Sequence, residues 1–150
     1  MARDRDIRNA IQAALVATNQ FGNVYLWSLA DVSDHSADDT LAATIEPAGW
    51  QESDSFDDTV TGLVQIDGSC TITFFSRFEE PQQRDEACER LLEFACNALN
   101  GQSLAGVTAP EWTKFTSARW EPASPPERRI GATFIYRYFV ENFTSFDESE

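Results

Sequence analysis

Apolar and polar positions alternate along this chain with two different periods, and the changes between them mark its elements. Ile7, Ala10, Ile11, Ala14 and Leu15 recur at helical spacing and predict a first helix from about Asp6 to Thr18, with Asp6 as its N-cap. Gly22 and Asn23 break the chain before a short strand, Val24–Leu29. Residues 31–58 have little regular pattern and many Asp, Ser and Thr; they read as a long acidic loop excursion with one short strand near Leu41–Glu46. Thr59–Ile66 and Cys70–Phe78 then alternate at period two. The Asp67-Gly68 pair between them predicts a hairpin, whose loop must be three residues or bulged to keep Ile66 and Cys70 on one face.

Pro81 opens a second helix and Asn100-Gly101 closes it. Ala87, Cys88, Leu91, Leu92, Ala95, Ala98 and Leu99 form its apolar stripe, and Glu86–Arg90 is an i,i+4 pair on the wet side. Trp112–Trp120 reads as a strand, followed by a Pro-rich connection and a long last strand, Arg129–Asn142. The order is α-β-(β)-β-β-α-β-β. It predicts an α+β domain over residues 1–142, mainly an antiparallel sheet with both helices packed on one face, and an acidic tail over 143–150.

Charge changes the picture more than composition does. Of 150 residues, 25 are acidic and 11 basic, a formal net of −14, and Lys114 is the only lysine. Between Asn9 and Ser76 there is no Lys or Arg at all. Such a field repels phosphates and anionic lipid, which argues against nucleic-acid or membrane binding. No apolar run approaches a membrane span, and the charged start of the chain does not read as a signal peptide.

Candidate chemistry is sparse. Cys88 and Cys96 lie eight residues apart on one helix, about 12 Å along its axis, too far for a disulfide. With Cys70 on the apolar side of a strand, the three cysteines read as free thiols of a reducing compartment. The single histidine, His35, stands among Asp34, Asp38 and Asp39, but the spacing fits neither a calcium loop nor a zinc site. Glu52, Asp54, Asp57 and Asp58 offer the paired carboxylates of a hydrolase, as any chain this acidic does. The expectation is no enzyme, no cofactor, no metal and no small-molecule substrate. The acidic residues Asp34, Asp38, Asp39, Asp54, Asp57 and Asp58 form a candidate loop or channel surface.

The aromatics are informative by side. Most belong to the core. Phe75, Ile135 and Phe139 fall on the face away from the helices, where a monomer would expose them, and an apolar patch there calls for a partner. Arg119, Arg128 and Arg129 gather basic charge near the Pro-rich connection, and Arg137 adds to the mixed face of the last strand. A domain acidic at one end and Arg-bearing at the other suits head-to-tail contact, which closes into a ring if the rotation allows. The tail with Phe143 and Phe146 reads as frayed, with a docking arm as the sharper alternative.

The segment Gly62-Leu-Val-Gln-Ile-Asp-Gly-Ser-Cys-Thr-Ile-Thr-Phe-Phe-Ser-Arg77, the helix Arg84–Leu99 and the closing Pro125-Pro-Glu-Arg128-Arg129-Ile-Gly-Ala-Thr-Phe-Ile-Tyr-Arg137-Tyr-Phe-Val140 resemble tail terminator and neck (head-tail joining) proteins of long-tailed bacteriophages. The resemblance runs in element order from about Asp6 to Asn142. It implies a non-enzymatic virion structural protein: a homo-oligomeric ring, a hexamer, that caps the tail tube and joins it to the head connector. The partners implied are other copies of the chain, the tail-tube protein and connector proteins. The location implied is the tail or neck of the virion, and the host cytoplasm during assembly. DNA passes through such a ring without being bound. The alternatives are a cytoplasmic adaptor that takes a basic protein through the acidic loop and, third, a hydrolase using loop carboxylates.

Overall fold

The computed structural model describes residues 2–26, 41–58, 63–122 and 125–140. In order they form helix α1 (Ala2–Ala17), strands β1 (Asn23–Tyr25), β2 (Leu41–Asp58) and β3 (Leu63–Arg77), helix α2 (Pro81–Leu99), a 3-10 turn (Pro110–Trp112), and strands β4 (Lys114–Glu121) and β5 (Glu127–Val140). The architecture is α+β, in the order α-β-β-β-α-β-β. The five strands make one sheet in spatial order β1-β2-β3-β5-β4. All neighbours are antiparallel except β1, which runs parallel to β2.

The core lies between this sheet and the two helices. Ile7, Ile11 and Leu15 of α1 and Cys88, Leu91, Ala95 and Leu99 of α2 pack on Ile66, Cys70, Ile72 and Phe74 of β3 and on Ile130, Ala132, Phe134, Tyr136 and Tyr138 of β5. These strand residues alternate strictly, so each strand gives one face to the core. An aromatic row crosses that face: Phe115 meets Phe134 edge-on at 4.8 Å between centroids, and Tyr136 stacks on Tyr138 at 6.2 Å. Pro81 stands in the first turn of α2, and Gly101 just beyond it takes a φ of +75°, the left-handed conformation that favours glycine after a helix.

Four expectations need correction. There is no hairpin at Asp67-Gly68. β3 runs straight through it, and the even-numbered positions Ile66, Gly68, Cys70, Ile72 and Phe74 stay on one face without any bulge or extra loop residue. Second, most of the acidic excursion is strand. β2 carries eighteen residues and pairs with β3 along most of its length, with a bulge between Pro47 and Gly49. A bulge is one of the few settings that admits proline within a strand. Third, α1 starts at Ala2, so Asp6 is an exposed residue inside the helix rather than its cap. Fourth, Glu86 accepts its hydrogen bond from Gln82 Nε2 at 3.0 Å rather than from Arg90.

Candidate functional site

Both helices lie on one side of the sheet, so the other side, built from the odd-numbered positions of β3 and β5, is open. Its character changes along its length. At one end Phe75 is fully buried in a small cluster with Ala42 and Tyr25, and the Arg77 guanidinium lies 4.9 Å from its ring centre. The expectation that Phe75 is exposed is therefore wrong: Ala42, its register partner on β2, lies beside it, and Tyr25 of β1 packs against the pair. Arg77 donates to Glu127 Oε1 through Nε at 2.9 Å and Nη2 at 2.5 Å, and Arg129 also pairs with Glu127.

At the other end the face opens into a groove of about 500 Å³ lined by Trp50, Asp67, Ser69, Trp112, Ile135 and Arg137, among others. Asp67 and Arg137 are cross-strand partners in register and form a forked ion pair at 2.6 and 3.3 Å. The Trp112 ring sits 4.0 Å from the same guanidinium. Trp112 is 43% exposed, unusual for the largest side chain, and Phe139 at the end of the same row is 38% exposed; Trp50, 44% exposed, is in register with Gly68 and so belongs to the other face of β2. The groove thus has a polar floor, the Asp67–Arg137 pair, with Trp112 and Ile135 as apolar walls. Such a surface suits an extended or aromatic group held by contact.

The other basic residues separate by face. Arg128 points to the helix side, where it donates to Asp85 Oδ1 of α2 at 3.0 Å and stacks 4.3 Å from the Trp120 ring. Arg119, opposite Gly131, and Arg129 lie on the open side. The three arginines grouped in the sequence are therefore not one patch, because consecutive strand residues face opposite ways. Ile135 and Arg137 line the groove, as their parity in β5 predicts. Trp50, Trp112, Asp67 and Lys114 were missed. Parity relative to Ile135 would have found Asp67 and Lys114 once the register was known; no sequence signal singled out the tryptophans.

Asp54, Asp57 and Asp58 belong to β2, but their side chains lie outside the described set, as do residues Asp34, His35, Asp38 and Asp39 altogether. Among the described residues no three Cys, His, Asp or Glu side chains come together to hold a metal ion. The three thiols are free. Burial pushes Cys70 up to about 12 and raises Cys88 and Cys96 as well, so all three stay protonated and weakly nucleophilic near neutral pH. On the helix side Tyr136 donates its hydroxyl to the buried carboxylate of Asp4, which also receives Arg8. Burial, with the Asp4 charge second, holds the Tyr136 phenol well above its ordinary value. This triad ties the first turn of α1 to the middle of β5.

No protein-family model matches the chain, and no curated protein matches it in sequence. Solved structures do match its fold. A chain of the virion of a native gene transfer agent particle superposes with a TM-score of 0.50 at 16% identity, over 91% of this chain and 93% of that one. A sheath/tube terminator of an extracellular contractile injection system, in its extended state, matches with a TM-score of 0.48 at 13% identity, over 90% of this chain; the match spans 56% of that longer chain. The fold of this chain is therefore one found in a phage-like particle.

Proposed function

We propose that this chain is a non-enzymatic structural subunit of a phage-like tail, a tail terminator or neck subunit. In this reading copies of it form a ring, a hexamer, that caps the tail tube and joins it to the head connector. The observation that carries the reading is the likeness to the gene transfer agent virion chain, which extends over nine-tenths of both chains and so covers a whole subunit rather than a shared motif. The element order read from the sequence supports it independently. So does the site: an ion pair beside the exposed Trp112 on an open sheet face suits a contact surface. A net charge of −14 also suits a conduit for DNA, since an acidic lumen does not grip the passing phosphates.

The test is electron microscopy of the protein mixed with tail tubes from the same particle. The expected result is a ring at one end of each tube. Tubes that stay bare at every protein concentration overturn the proposal. Free protein that is monomeric does not decide it, because a ring of this kind can assemble only on its tube.

A further inference from the structure

The open face of the sheet is nearly charge-balanced in a chain that is far from balanced. Across β2–β5 its described residues include five bases, Arg77, Lys114, Arg119, Arg129 and Arg137, against four acids, Glu46, Asp67, Glu121 and Glu127. Arg77, Arg129 and Arg137 are held by acids of the same face. Lys114 and Arg119 have no ion pair among the described residues. Lys114 is exposed and in register with Ile135, which places the only lysine of the chain beside the groove. A ligand suited to this surface is thin, acidic and aromatic.

The chain carries such a segment. Residues 141–150 read Glu-Asn-Phe-Thr-Ser-Phe-Asp-Glu-Ser-Glu, with four acids, no base and two phenylalanines, and they follow directly on β5. Ten extended residues span about 33 Å. That is several times the edge of a cube of the groove's volume, so the segment is long enough to leave one subunit and lie along another.

We propose that the groove walled by Trp112 receives residues 141–150 of a second copy of the chain. A phenylalanine of the segment packs on Trp112 and its carboxylates lie toward Lys114. The inference deepens the ring reading, since it names the surface and the segment through which neighbours are joined. It has the polarity of a head-to-tail contact: the groove and the segment are different parts of the subunit, so each copy offers one of each.

The test titrates the unlabelled peptide 141–150 into the full-length, 15N-labelled chain, followed by NMR up to about 1 mM peptide. The expected result is a shift of the indole N–H signal of Trp112 and of the Ser69, Ile135 and Arg137 amides. Trp112→Ala in the chain, or Phe143→Ala with Phe146→Ala in the peptide, should each weaken binding about tenfold. No shifts, or shifts indifferent to those changes, overturn the inference. A full-length chain carrying Phe143→Ala and Phe146→Ala settles the occupant. Peptide binding equal to that of the unaltered chain supports a second copy. Binding more than about tenfold tighter means that the chain's own segment fills the groove, and the inference fails. The experiment needs no tail tube, so its failure leaves the terminator reading standing, and bare tubes leave this one standing.

Discussion

The ring of Tyr136 lies against the backbone of Gly68, its cross-strand partner. A Cβ added at Gly68 would come within 2.5 Å of Tyr136 Cε1, inside any real contact distance. The ring cannot swing away cheaply, because its hydroxyl is held by Asp4 and its neighbours are Phe134 and Tyr138. Gly68→Ala should therefore destabilise the protein by about 1–3 kcal/mol, read as a lower midpoint of urea unfolding. A neutral result would mean that the ring has room to move. Cys70 on the same face makes a second residue-scale prediction. Burial pushes its folded-state pKa up to about 12 from an ordinary thiol value of 9.0, so above pH 9 the unfolded chain gives up a proton that the folded chain keeps. The stabilisation is present in full below pH 9 and is lost as pH rises toward 12, at up to about 1.4 kcal/mol per pH unit. Unfolding midpoints measured from pH 8 to 11 should fall, and Cys70→Ala should flatten the fall between 9 and 10. Above 10 the raised Tyr136 phenol contributes in the same direction, so the flattening is clearest below that.

At the scale of elements, β3 decides how the sheet is built. As one strand it carries β2 on one side and β5 on the other, and Asp67 and Gly68 are mid-strand residues paired with Arg137 and Tyr136. Hydrogen exchange should then show slow amides in a continuous run from Ile66 to Phe74. A fast island at Asp67–Ser69 would instead mean a turn there. The strand was legible in part. Its apolar parity is unbroken from Ile66 to Phe74, and the need for a special loop to preserve that parity across a hairpin was itself a sign of no hairpin. Asp-Gly overrode the sign because both residues have turn chemistry; here the aspartate serves an ion pair and the glycine an aromatic ring, uses that only the partner strand reveals. α2 and β5 were legible because each buries one face, whereas β4 is exposed at most positions and was marked by its place between Trp112 and Trp120, with only Phe115 packed against the core. The far part of β2 was not: residues 47–51 are exposed on both sides, so no alternation marks them as strand. The same reason hid Trp50, while Ile135 and Arg137 were found through the regular parity of β5.

At the scale of the whole molecule, two electrostatic effects of opposite sign compete. The net charge of −14 makes the compact chain repel itself, and salt weakens that repulsion. Against it stand local ion pairs, Arg137–Asp67, Arg77–Glu127, Arg128–Asp85 and Arg8–Asp4, which salt also weakens. Geometry decides between them. The pairs hold their charges at contact distance, and most are partly buried, so added ions screen them poorly. With 25 acids against 11 bases, a net of fourteen negative charges remains whatever the pairing, and these repel over distances comparable with the Debye length, about 10 Å at 0.1 M, where screening is most effective. The thermal midpoint should therefore rise as sodium chloride goes from about 10 mM, where the Debye length is about 30 Å, to about 0.1 M. A midpoint that falls over this range would mean that the ion pairs carry more of the stability than the self-repulsion removes. The charge-reversed variant Lys114→Glu sharpens the comparison. It adds negative charge at an exposed site without breaking any ion pair among the described residues, so its midpoint should be lower than that of the unaltered chain at low salt and should converge with it at about 0.1 M. A gap that salt does not close would show that Lys114 acts through a local contact and not through the field of the whole molecule.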